Sequence, residues 1–81
     1  MSPRMPTMKS GTMMAFLEHL GFRHVRQRGS HHFFRHPDGR TATVPEHPGE
    51  DLGRGLTSKI LRDAEVTRDD FWQWYSQRRT I

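Results

Sequence analysis

Two turn signals set close together constrain this chain more than any other feature. Gly29-Ser30 and Pro37-Asp38-Gly39 divide the stretch 22–43 into short segments that read as strands. In the first turn glycine supplies the backbone freedom. In the second, proline presets φ, aspartate caps the turn and glycine takes a positive φ. Residues 23–28, 31–36 and 40–45 are therefore expected to be three consecutive antiparallel strands. With His36 opposite Arg40 across the second turn, His32, Phe34, Ala42 and Val44 fall on one face. His31, Phe33, Arg35, Thr41 and Thr43 fall on the other. The first set contains the small and branched apolar residues of the third strand, so it is expected to meet the core. The second set is expected to stay open.

Helical signals flank the strands. Ser10 is a candidate N-cap, and Met13, Phe16, Leu17 and Leu20 follow at helical spacing. Gly21 has the position of a left-handed C′ residue, after which Phe22 packs back. Residues 46–55, rich in Gly, Pro and acid, read as a loop. A helix is expected over 56–64, with Leu56, Ile60 and Leu61 as its apolar stripe. Thr67 with Asp70 opens a last helix as a capping box does, and Phe71, Trp74 and Tyr75 form its apolar face. The order is α-β-β-β-α, an α+β domain with an extra short C-terminal helix. Residues 1–8, with Pro3 and Pro6, read as a flexible tail, and 9–81 as a single domain.

Composition narrows the function classes. A net charge of +4 and a pI near 10.7 favour an anionic partner. Without cysteine there is no disulfide framework and no thiolate chemistry. No apolar run approaches the length of a membrane span and no signal-peptide core is present, so a cytoplasmic location is expected.

The chemistry concentrates in residues 22–43, where five arginines and four histidines stand against the single acid Asp38. Arginine grips phosphate, and histidine is the side chain that titrates near neutral pH. In Gly29-Ser30-His31 the glycine lets backbone approach a phosphate, Ser30 can donate to it, and His31 can act as base or acid. RNA carries its own nucleophile, the 2′-hydroxyl, so a base beside it and donors on the phosphate suffice for cleavage. The plainer reading of the same residues is a turn followed by a solvated strand histidine. Arg23 and Arg35 are expected to flank His31 from neighbouring strands, with Arg26 or Arg28 assisting. Alternatively, the arginines only protect a sheet edge from pairing. Phe33 must leave the core if Phe34 enters it. It then offers a stacking platform for an unpaired base, or lies under Trp72 or Trp74 in a second small core. The His32/His36 spacing suits a helix and not a strand, no HExxH is present, and no cofactor or metal is expected. The surplus of Phe71, Trp72, Trp74 and Tyr75 either docks a protein or is ordinary core.

Taken in order, Gly21-Phe22, Arg26, Gly29-Ser30-His31, Pro37-Asp38-Gly39-Arg40, Val44-Pro45, His47, Gly55 and Ile60-Leu61 closely resemble the HicA, or YcfA-like, family of bacterial toxins. The resemblance runs from about Leu17 to Phe71. It implies a double-stranded-RNA-binding-domain-like fold, mRNA-interferase activity, His31 as the essential catalytic residue and a HicB-type antitoxin that covers it. Such proteins usually carry a glycine at the end of the second helix, where this chain has Glu65. On this reading His31 abstracts the 2′-hydroxyl proton, the arginines hold the phosphate, Ser30 orients the phosphate or His31, and Phe33 stacks a base. His47 and His24 are candidate acids for the leaving oxygen. Two other readings stand beside it: a non-catalytic RNA-binding module, and an interaction protein acting through its C-terminal aromatics.

Overall fold

The computed structural model describes residues 7–78. These form α1 (Ser10–His19), β1 (Arg23–Arg28), β2 (His31–Arg35), β3 (Thr41–Pro45), α2 (Arg54–Asp63) and α3 (Arg68–Arg78). The strands make one antiparallel sheet in the order β1-β2-β3. The architecture is α+β, α-β-β-β-α with a further C-terminal helix, as the turn and capping signals indicate.

The two turns do what their residues allow. Gly29 has φ +58 while Ser30 keeps a negative φ, the pattern of a two-residue hairpin with glycine first. Gly39 has φ +102 and closes a three-residue loop in which His36 N–H donates to the Arg40 carbonyl at 2.8 Å. Across the β2–β3 pair, His32 faces Val44 and Phe34 faces Ala42, and all four are buried. His31, Arg35 and Thr41 are exposed, and Phe33 and Thr43 are half-buried. The alternation therefore holds in the expected register.

The helices cover the buried face. Met13, Phe16 and Leu17 of α1, Ile60 and Leu61 of α2 and Phe71 of α3 join Phe22, Phe34, Ala42 and Val44 in one core. Phe16 lies at its centre, edge-on to Phe71 with ring centroids 5.2 Å apart and 5.1 Å from Trp74. Trp72 and Trp74 pack on this side, so neither folds over Phe33 to make a second core.

α1 ends on a Schellman motif. Gly21 takes φ +102, its N–H donates to Glu18, and Phe22 N–H donates to Leu17. α2 ends the same way, with Glu65 N–H to Arg62 and Val66 N–H to Leu61, but the left-handed position belongs to Glu65 at φ +59. Thr67 and Asp70 form the expected reciprocal cap: Asp70 N–H donates to Thr67 Oγ1 at 3.1 Å and Thr67 N–H to Asp70 Oδ2 at 2.9 Å.

Three boundaries differ from expectation. Lys9, not Ser10, caps α1: its carbonyl accepts from the Thr12 and Met13 N–H groups, and Ser10 is already helical and buried. α2 begins at Arg54 and not at residue 56, because Thr57 closes its first turn through both N–H and Oγ1 onto the Gly53 carbonyl. Of the expected tail 1–8, residues 1–6 lie outside the described residues. Met8 is buried and bridges to Leu52, whose N–H donates to the Met8 carbonyl at 2.7 Å.

Candidate functional site

The open face of the sheet is built in rows, since cross-strand partners share a side. Arg28, His31 and Pro45 form the row at the Gly29-Ser30 end. Arg26, Phe33 and Thr43 form the next, and Arg23, Arg35 and Thr41 the third. A shift of register between His24 and Arg26 marks a β-bulge with Val25 as the unpaired residue. The bulge brings Val25 onto the open face beside Arg26, where both border the same cleft as Phe33 and Thr43.

His31 is exposed, and among the described residues its ring makes no hydrogen bond or ion pair. Arg28 lies directly opposite it. Arg23 and Arg35 are opposite one another and do not flank His31. Arg35 is four residues further along β2, roughly 14 Å at about 3.4 Å per residue. The expected flanking of His31 by Arg23 and Arg35 is therefore corrected: the residue opposite His31 is Arg28, because the two-residue turn pairs the two. Arg26 is committed to Phe33, its guanidinium 4.7 Å from the ring centroid. Ser30 is half-buried, and its carbonyl accepts from Glu46 N–H at 2.7 Å.

The other histidines of the stretch have structural partners. On the covered side, His32 Nε2 lies 2.8 Å from Glu46 Oε1, and His32 Nδ1 lies 2.9 Å from His24 Nε2. With His32 neutral, its Nε2–H donates to the carboxylate and its Nδ1 accepts from His24. Glu46 thus grips the underside of the sheet with its side chain and the Ser30 turn with its backbone. His24, a candidate acid, lies on this side and away from His31. His36 is equally engaged: Nε2–H donates to the Leu20 carbonyl at 3.1 Å and Nδ1 accepts from Asp38 N–H at 3.1 Å.

Arg40 belongs to the scaffold. Its Nε donates to Asp38 at 2.8 Å, its NH1 to the Ala64 carbonyl at the end of α2 at 2.6 Å, and its guanidinium lies over Phe22. The Arg40 side-chain hydrogen bond holds the Asp38 carboxyl below its usual range, and Asp38 raises Arg40 in return. The single acid of the stretch is therefore engaged by Arg40 at the turn. Sequence spacing alone did not reveal Val25, Glu46 or the structural use of Arg40. The bulge has no glycine or proline to mark it, and the Glu46 and Arg40 contacts span long sequence separations. Among the described residues no group of three or more His, Asp or Glu side chains is gathered to hold a metal ion, and no helix is long and apolar enough to cross a membrane.

A family model described as the HicA toxin of bacterial toxin–antitoxin systems matches residues 11–66, more than half of the chain. The chain belongs to the HicA toxin family. It is thus the toxin half of a toxin–antitoxin system, and its partner is a cognate antitoxin. The match runs from α1 through the end of α2 and leaves α3 outside. A comparison with curated proteins returns no match.

Proposed function

We propose that this HicA-family toxin is a metal-independent endoribonuclease that cuts single-stranded mRNA with His31 as its catalytic base. The observation that carries the reading is the contrast among the histidines. His31 alone of the four in residues 22–43 is both on the open face and without a hydrogen-bond partner among the described residues. In this mechanism His31 takes the proton of a ribose 2′-hydroxyl. The 2′-oxygen attacks the adjacent phosphorus, the P–O5′ bond breaks, and the 5′-oxygen takes up a proton. The products are a 2′,3′-cyclic phosphate and a 5′-hydroxyl. Arg28 neutralises charge developing on that phosphate, and Ser30 orients it. Arg26, Arg23 and Arg35 line the path of the strand away from the cut, and Phe33 offers a stacking surface. The antitoxin is a HicB-type protein that covers His31 and is acidic where it meets the arginine rows. The site of action is the cytoplasm, where mRNA is found.

The test is incubation of purified protein with RNA in EDTA, with both new ends mapped. Cyclic-phosphate ends from the wild type and none from His31→Ala are expected. Cleavage that needs added metal, or survives in His31→Ala, removes the mechanism.

One observation favours a second reading, an RNA-binding module without catalysis. The cleft on the open face is bordered by Phe33, Arg35 and the two threonines, not by His31. A binder of double-stranded-RNA-binding-domain type gives salt-dependent gel shifts on duplex RNA and no new ends.

A further inference from the structure

Val25 is 55% exposed and, among the described residues, is the large hydrophobic side chain left in solvent. The bulge sets it at the end of a cleft of about 450 Å³ bordered by Arg26, Phe33, Arg35, Thr41 and Thr43. That volume lies within the range of small-ligand sites, roughly 300–1,000 Å³. The cleft separates the Arg26–Phe33–Thr43 row from the Arg23–Arg35–Thr41 row. Same-face residues two apart on a strand are separated by about 6.8 Å. Two van der Waals contacts of about 3.5 Å each fill that gap, so it admits one flat ring between Phe33 and Arg35. Both boundaries suit a ring. Arg26 already lies over Phe33, its guanidinium carbon 4.7 Å from the ring centroid, and Arg35 presents a second guanidinium. Unpaired bases stack on aromatic rings and on guanidinium planes alike. Thr41 and Thr43 add hydroxyls at the β3 end that both donate and accept, and Val25 adds an apolar contact at the β1 end.

We infer that this cleft is a nucleobase slot, taking one unpaired base of an RNA strand whose neighbouring nucleotide lies at His31, with Thr43 and Thr41 contacting the base's edge. The slot rests on the reading of the chain as an RNA-directed toxin and adds to it the element that selects where the strand is cut. Arg23, too far from His31 to share its phosphate, holds the backbone beyond the slotted base. The strand thus runs along β2 from the Gly29-Ser30 turn toward Pro37.

The experiment uses the His31→Ala chain, so that RNA stays intact, with short single-stranded oligoribonucleotides that are either complete or abasic at one position. Methyl NMR shifts of Val25, Thr41 and Thr43 are followed together with affinity. The complete oligonucleotide is expected to shift those methyls and to bind about 5- to 150-fold more tightly than the abasic one, the range of a single stacked base. Phe33→Ala and Val25→Asp, whose melting temperatures serve as folding controls, are expected to erase that difference. In the wild type, Thr43→Val is expected to change which sequences are cut. Equal affinity for complete and abasic strands, binding that leaves the Val25, Thr41 and Thr43 methyls unshifted, or no binding of any oligonucleotide overturns the slot. The two proposals fail separately. Base-dependent binding without cleavage by the wild type keeps the slot and removes the nuclease. Cleavage whose sequence preference ignores Thr43→Val, with no penalty for an abasic position, keeps the nuclease and removes the slot.

Discussion

β2 carries the same two residue types twice, His31-His32 and Phe33-Phe34, and the pleat sends one of each to either side of the sheet. His32 and Phe34 are buried under the helices, while His31 and Phe33 face outward. His32 is held from both ring nitrogens by Glu46 and His24. His31 is held by neither. Phe34 packs in the core, and Phe33 carries an arginine. What separates a structural histidine from a catalytic candidate here is therefore not its type or its neighbours in sequence. It is whether both ring nitrogens are already committed within the fold.

The largest expected effect breaks this comparison at the histidines. His31→Ala should lower RNA cleavage about 10²- to 10⁴-fold, the usual size of general-base catalysis, and leave the urea midpoint unchanged. His32→Ala should do the reverse to first order, destabilising the fold by about 1–3 kcal/mol because Glu46 and His24 lose a part-buried partner. Loss of toxicity from His32→Ala at full stability, measured by growth arrest and urea unfolding together, would show that the two faces are not functionally distinct.

The phenylalanines sharpen the same contrast in stability. Phe34, 2% exposed, should cost about 3–5 kcal/mol on replacement by alanine. That is a large share of the 5–15 kcal/mol that holds a typical domain together. Phe33→Ala should cost about 1 kcal/mol or less and instead weaken binding of single-stranded RNA. Chemical denaturation of both variants decides it, and equal losses would mean that the open face is part of the core.

Much of this was legible in the chain because short-range chemistry controls it. Gly29-Ser30 and Pro37-Asp38-Gly39 set the register, the register sets the faces, and Gly21 and Thr67 mark helix ends, the one by its left-handed backbone and the other by its side-chain cap. What escaped depends on contacts far apart in sequence or on an irregularity without a marker. Nothing in Arg23–Arg28 announces a bulge at Val25, and Arg23 lies two rows from His31 because the two-residue turn gives the place opposite His31 to Arg28. Arg40 looked like one more phosphate-gripping arginine until Ala64 and Phe22 were brought to it. Ser10 was preferred over Lys9 as a cap because cap preference is a side-chain rule, whereas here the backbone carbonyl of Lys9 starts the helix without a side-chain bond.

A smaller effect is expected at Glu65, on the covered side. It occupies the left-handed C′ position of a Schellman motif at φ +59, which costs a side-chain-bearing residue about 1–2 kcal/mol relative to glycine. Glu65→Gly should raise stability by about 1 kcal/mol or less. Part of the relief is offset because Gly loses more backbone freedom on folding and because Glu65 attracts Arg40. A gain of this size raises the melting temperature by a few degrees, at most about 8 °C for a domain of this length. Cleavage should not change, since Glu65 is at the opposite end of the core from His31. A drop in activity would mean that α2 and the open face are coupled.

The smallest effect is in the acid limb of the stability curve. Asp38 is held below its usual range by its hydrogen bonds from the Arg40 side chain and backbone, and Asp70 by those from the Thr67 backbone and side chain. A carboxylate depressed in the folded state binds protons less readily there than in the unfolded chain. Its contribution is complete above the unfolded value, about 3.9, and is lost as pH falls through the lower folded value. Stability should therefore be level with respect to these two groups from pH 5 upward and decline below pH 4. Both groups are exposed, so the decline is modest. Asp38→Asn and Asp70→Asn should each flatten part of that limb when urea midpoints are compared between pH 2 and pH 6. Neither carboxylate lies in the rows of His31, Phe33 or Arg35, so acid should loosen the turn and the α3 cap before it disturbs the open face. Amide exchange that is instead fastest in β2 at low pH would place the weak point on the functional side.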